Sequence, residues 1–168
     1  MTLGYILAET RGEADRLLAE LAARLQGEGR VVAGVVQSRA PSPGAHPCDM
    51  ELAVLPEGPE IGISQRLGGG ARGCRLDPAS LEDAAVAVSA RLSAGAEVLI
   101  LNKFGAHEGS GRGFCPVLAL ALEQGIPALT AVNPRNLESF LAFTGGLETR
   151  LEADAHALHA WVEAALAR

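Results

Sequence analysis

The residues with the most chemistry at the closest spacing lie between positions 102 and 114: Asn102-Lys103-Phe104-Gly105-Ala106-His107-Glu108-Gly109-Ser110-Gly111-Arg112-Gly113-Phe114. Lys103 is the only lysine in the chain. Together with Arg112 it offers positive charge, while Gly105, Gly109, Gly111 and Gly113 let backbone N–H groups approach a ligand closely. Asn102 adds an amide, and His107 and Glu108 add groups able to move a proton. The set suits a small anionic ligand, with Lys103, His107 and Glu108 as the catalytic candidates should there be a reaction. A lysine here also fits a Schiff-base nucleophile, which needs a depressed pKa from burial or a neighbouring cation. The competing reading is a surface loop kept soluble by its charges.

Two other stretches compete for an anion. Gln65-Arg66-Leu67-Gly68-Gly69-Gly70-Ala71-Arg72-Gly73-Cys74-Arg75 combines consecutive glycines, able to form a backbone nest, with three guanidinium forks, and Arg72 is its strongest candidate. Ala8-Glu9-Thr10-Arg11-Gly12-Glu13-Ala14-Asp15 sits where a nucleotide-binding α/β protein carries its phosphate loop. Of the pattern G-x-x-x-x-G-K-[ST] it keeps only Gly12, with Glu13 in place of the lysine. Thr10 and Glu13 form a T-x-x-E pattern that predicts a capping box, so Thr10, Arg11 and Gly12 stand as a remnant of such a loop. Lys103, Arg112 and Arg72 are expected to converge on one anion, with Gln65, Asn102, Gly105 and Gly111 as further binding residues.

Other groups carry less. Cys115, near a helix start, reads either as an activated thiolate or as a buried thiol. His156 and His159 lie one turn apart near Asp154 without a further ligand at zinc spacing, so a solvated helix face is expected and no metal site. The odd count of three cysteines, without a C-x-x-C pair, argues against disulfides.

The elements that must position these residues follow from periodicity. Val98 to Leu101 is a short aliphatic run, read as a strand buried on both faces, and ligands of open α/β sheets bind outside such carboxyl ends. Leu3 to Ala8, Val31 to Val36 and Ile126 to Val132 read as further buried strands, the first two as the parallel strands of a right-handed βαβ unit. The stripes Ala14, Leu17, Leu18, Leu21, Leu25 and Leu81, Ala84, Ala85, Val88, Leu92 predict amphipathic helices, the second opened by Asp77-Pro78. Asp49 to Val54 and Glu60 to Ser64 alternate as a hairpin does. Helices are expected from Phe114 to Glu123, after Asn133-Pro134 (with Leu137, Phe140, Leu141 and Phe143), and after Asp154; Leu147 to Leu151 reads as an edge strand. The fold class is α/β: three layers with a mostly parallel sheet and an antiparallel β-hairpin, in one domain over residues 1–168.

Composition narrows the partners. The net charge of −6 argues against nucleic acid, and no apolar run approaches the ~20 residues of a membrane span. A cytoplasmic protein binding a small anion is expected, with homo-oligomers left open. The residues name no cofactor.

Gly34-Val35-Val36-Gln37, Ile63-Ser64-Gln65, Gly70 to Asp77, Asn102-Lys103-Phe104-Gly105, Glu108, Gly111-Arg112-Gly113-Phe114 and Thr130-Ala131-Val132-Asn133 resemble an uncharacterised bacterial domain family. The resemblance covers nearly the whole chain, and members tend to be encoded near molybdenum-transport and nitrogen-fixation genes. More distantly the order of elements is similar to small P-loop nucleoside-triphosphatases and nucleotide kinases. Their acidic motif D-E-x-G-x-x-E is matched at Gly105 and Glu108, while Asn102 and Lys103 replace the two acids. The resemblance implies a degenerate nucleotide-binding fold that binds a nucleotide phosphate or a tetrahedral oxyanion such as molybdate, and Glu13 in place of the lysine predicts no useful turnover of ATP or GTP. The alternative is a hydrolase or transferase acting on a phosphorylated or carboxylated small molecule.

Overall fold

The computed structural model describes residues 2–10, 12–38, 50–65 and 76–168. In chain order the first half runs β1 (Leu3–Leu7), α1 (Glu13–Gly27), β2 (Val32–Gln37), β3 (Glu51–Val54), β4 (Glu60–Gly62) and α2 (Pro78–Ser93). The second half runs β5 (Val98–Phe104), α3 (Ala106–Gly109), α4 (Cys115–Glu123), β6 (Ala128–Val132), α5 (Leu137–Thr144), β7 (Glu148–Leu151) and α6 (Ala155–Leu166). Among the described residues seven strands form one sheet in the order β4-β3-β2-β5-β6-β1-β7. Strands β2, β5, β6, β1 and β7 are parallel, and the hairpin β3-β4 joins β2 antiparallel.

The predicted stripes face this sheet. Leu17, Leu18, Leu21 and Leu25 of α1 are buried against Ile6, Val32, Ile100 and Leu129, with Leu158 and Val162 of α6 completing that layer. Each leucine so enclosed contributes roughly 1.5–3 kcal/mol relative to exposure. Leu81, Val88 and Leu92 of α2, Leu118 of α4 and Phe140 of α5 cover Leu99, Leu101 and Phe104 on the opposite face. On α5 the inner stripe is narrower than its spacing predicts, since Leu141 and Phe143 are exposed.

Strands β1 and β2 run parallel, as the βαβ reading has them, but they are not adjacent. Strand β1 pairs with β6 and β7, whereas β2 pairs with β5 and β3, so β5 and β6 stand between them. Strands β5 and β6, in the middle of the sheet, each carry five consecutive buried residues, as strands enclosed on both faces do. The helix starts after Asp77 and Asn133 are as expected: Asp77 accepts from the Ala79 N–H at 3.1 Å, and Asn133 from the Arg135 N–H at 3.0 Å. The latter opens a 3-10 turn, Pro134–Asn136, that leads into α5.

Strand β5 does not end at Leu101 but continues through Asn102 and Lys103 to Phe104. Its pairing with β6 advances three residues, Leu101 to Phe104, while β6 advances two, Thr130 to Val132. One extra residue on β5 is a bulge, and it turns Phe104 onto the same face as Leu101. Asn102 and Lys103 therefore sit on the strand end, and His107 and Glu108 on the short helix α3.

Candidate functional site

At the carboxyl end of β2 and β5 the parallel ladder stops at the pair Val35–Leu101. The Asn102 side chain takes over, its Oδ1 accepting from the Gln37 N–H at 3.2 Å. Asn102 is thus a buried strand clamp as well as a binding candidate. Lys103, next along the strand, is exposed and reaches the first turn of α1, its Nζ lying 3.5 Å from Asp15 Oδ1.

The segment after β5 is held by two carboxylates. Glu108 is buried, with Oε2 accepting from the Gly105 N–H at 2.9 Å and Oε1 from the Phe114 N–H at 3.3 Å. Both oxygens are engaged with backbone, so Glu108 braces the short helix α3 and the start of α4. Glu82 on α2 does the same from outside: its Oε1 accepts from the Gly113 N–H at 2.8 Å and meets His107 Nε2 at 3.0 Å. The Gly113 bond, with His107 second, holds the Glu82 carboxyl below its ordinary range. Gly113 has φ 59°, and a Cβ there would run into Glu108, so this turn admits glycine alone.

Between this brace and the hairpin lies a cavity of about 300 Å³. Its apolar wall is Leu52, Ile63, Leu76, Leu81 and Phe114, and its polar side is Gln37, Asn102, Lys103, Gly105, His107 and Glu108. Five of the expected site residues, Asn102, Lys103, Gly105, His107 and Glu108, line it. Gly111 and Arg112 are exposed on the turn that follows α3, and Gln65 is exposed beyond β4; among the described residues these three are outside the cavity wall. Arg72 and Arg11 lie outside the described residues, as does the Gly/Arg stretch 66–75.

At the β1–α1 turn the expected capping box is corrected. Helix α1 begins at Glu13 with Gly12 as N-cap, in the left-handed conformation at φ 78° and without a side-chain cap. Glycine turns the chain into the helix two residues later than Thr10 would, leaving Thr10 exposed ahead of the cap. Glu13 and Asp15 supply the negative charge that the helix N-terminus favours.

Sequence reasoning missed three features: Glu82, the Asp15 partner of Lys103, and the apolar cavity wall. Nothing in the local pattern of α2 distinguishes Glu82 from other flank residues of an amphipathic helix. His159 was expected on a solvated face, yet its Nε2 lies 2.8 Å from Glu28 Oε2 at the end of α1. Cys115 is buried, its Sγ donating to the Glu108 carbonyl at 3.0 Å, and burial with the nearby Glu108 charge pushes the thiol up to about 11.

Comparison with known proteins places this architecture. A human cancer-related nucleoside triphosphatase, solved in solution, superposes with a TM-score of 0.69 over 98% of this chain and 97% of that one, at 16% identity. The seven-stranded, mostly parallel sheet is therefore the fold of a nucleoside triphosphatase. The molybdenum import ATP-binding protein ModC 2 of Bradyrhizobium diazoefficiens is 38% identical over 156 residues, which is 93% of this chain. The chain spans only 17% of that relative's length. The match to the family described as "Protein of unknown function (DUF2478)" runs through residues 3–161, from β1 into α6, and the chain belongs to that family.

Proposed function

We propose that this chain is a binding or regulatory module that takes a small anionic ligand at the carboxyl edge of the sheet, with Lys103 as the principal cation. The observation that carries the reading is the position of Lys103: the only lysine stands at the tip of a central strand, on the wall of a cavity whose far side is apolar. A site with a small number of placed polar groups and an apolar wall suits an organic anion, or a nucleotide part of which remains outside, because about 300 Å³ is at the small end of ligand pockets. The helix α1 terminus is a poorer anion site, since Glu13 and Asp15 already occupy its positive end.

The nucleoside triphosphatase fold supports a nucleotide among the ligands, and the molybdenum import name of the relative supports molybdate or tungstate. Hydrolysis is not expected, because phosphoryl transfer depends on a lysine and a metal at the phosphate loop and Glu13 brings charge of the wrong sign there. Thermal shift against a panel of nucleotides, molybdate, tungstate, sulfate and phosphate tests the reading. A ligand at 100 times its dissociation constant stabilises the fold by about 2.7 kcal/mol. Failure of every anion at millimolar concentration to move the transition would end the proposal, and phosphate release from any nucleotide would turn it toward an enzyme.

A further inference from the structure

The opposite edge of the sheet, where Arg30 precedes β2 and Glu97 precedes β5, carries a cluster that the anion reading does not use. Glu28 follows the last turn of α1, and His159 and Glu163 stand one turn apart on α6, the i, i+4 spacing that puts two ligands on one helix face. One oxygen from each carboxylate and a ring nitrogen of His159 lie within 4.8 Å of one another. They border an open cavity of about 360 Å³.

The outer oxygens of both carboxylates are already held. Arg24 Nε donates to Glu28 Oε1 at 2.9 Å, and Arg30 donates to Glu163 Oε2 at 2.9 Å while its other nitrogen reaches Glu97 at 3.3 Å. That leaves Glu28 Oε2, which faces His159 Nε2 at 2.8 Å, and Glu163 Oε1, a buried oxygen without a hydrogen-bond partner. Two carboxylates oriented by arginines, one of them against the imidazole nitrogen and the other with a buried oxygen unengaged, form a ligand set with its outer supports in place. The arginines also offset the two negative charges, so the apo cluster is not self-repelling.

We propose that Glu28, His159 and Glu163 bind a divalent transition-metal ion of zinc-like preference. One nitrogen and two oxygens match the borderline character of zinc or cobalt better than that of calcium or magnesium, which prefer oxygen alone. Bonds of roughly 2.0–2.2 Å in tetrahedral geometry set ligand atoms about 3.3 Å apart, which side-chain rotation provides from the present spacing. Three protein ligands leave the fourth position open toward the cavity.

The test uses the full chain stripped with chelator, carrying Cys48→Ser and Cys74→Ser to remove other soft ligands. Titration with cobalt should give a visible tetrahedral absorption saturating at one ion per chain, and zinc should displace it and raise the thermal transition. His159→Ala and Glu163→Gln should each weaken binding at least tenfold, while His156→Ala, on the exposed side of the same helix, should leave it unchanged. Far-ultraviolet circular dichroism of each variant separates lost ligands from lost fold, and Glu28→Gln serves if either variant unfolds. No saturable binding by the parent chain, or equal binding in the ligand variants, overturns the site and leaves an ion-pair network only.

Discussion

Lys103 and Asp15, 88 positions apart in sequence (103 − 15), meet across the carboxyl edge of the sheet with Nζ 3.5 Å from Oδ1. The lysine that a phosphate loop would carry on α1 is absent there, and the chain's single lysine approaches the same turn from β5. Asp15 therefore competes with any anion for the amine. Asp15→Asn should strengthen binding of the ligand identified by thermal shift several-fold, and Lys103→Ala should abolish that shift. Because the pair is partly exposed, either change should alter the unliganded stability by less than about 1 kcal/mol. Equal ligand shifts in the parent and Lys103→Ala would remove Lys103 from the site.

The turn after α3 should loosen in acid. Glu82 is held below its usual range by the Gly113 N–H and then by His107, so its stabilising contribution is present above the unfolded carboxyl value near 4.5. It is lost as pH falls through the lower folded value. Hydrogen exchange of the Gly113 amide, measured at neutral pH and then below pH 4.5, should accelerate in the acid arm relative to core amides of β5. Glu82→Gln should show fast exchange already at neutral pH, and indifference of Gly113 to both changes would refute the brace.

Cys115 should be unreactive. With its thiol pushed up to about 11 and its side chain buried, almost none is thiolate at pH 8. Alkylation followed by peptide mapping should leave Cys115 unmodified until denaturant is added. Modification of Cys115 in the native protein on the timescale of a free thiol would contradict the packing of α4.

Gly34 in β2 should resist replacement. Its φ is 134°, and a Cβ would overlap the backbone of Ile100 on β5, where no side-chain movement relieves it. Gly34→Ala should cost on the order of 3 kcal/mol or prevent folding, as a combined backbone-strain and overpacking change. A loss below 1 kcal/mol in denaturant melts would show that β2 and β5 separate readily.

The elements of this protein are written in local pattern. Aliphatic runs at Leu3, Val32, Val98 and Ala128, stripes at three- and four-residue spacing on α1 and α2, and Asp77-Pro78 or Asp154 at helix starts each act through near neighbours, so a linear reading finds them. The concentration of polar residues after Leu101 was legible for the same reason. Strand order was not: β1 and β2 flank one helix in sequence, yet β5 and β6 part them, and no local pattern encodes which buried strands pair. Nor was the bulge at Asn102–Lys103, which depends on β6 supplying two residues against three. Glu82 under His107, Asp15 beside Lys103, and Glu28 beside His159 join residues 25, 88 and 131 positions apart (107 − 82, 103 − 15, 159 − 28). A side chain's partner at such range is set by which helix ends the sheet brings to one edge, and only the packed tertiary structure decides that.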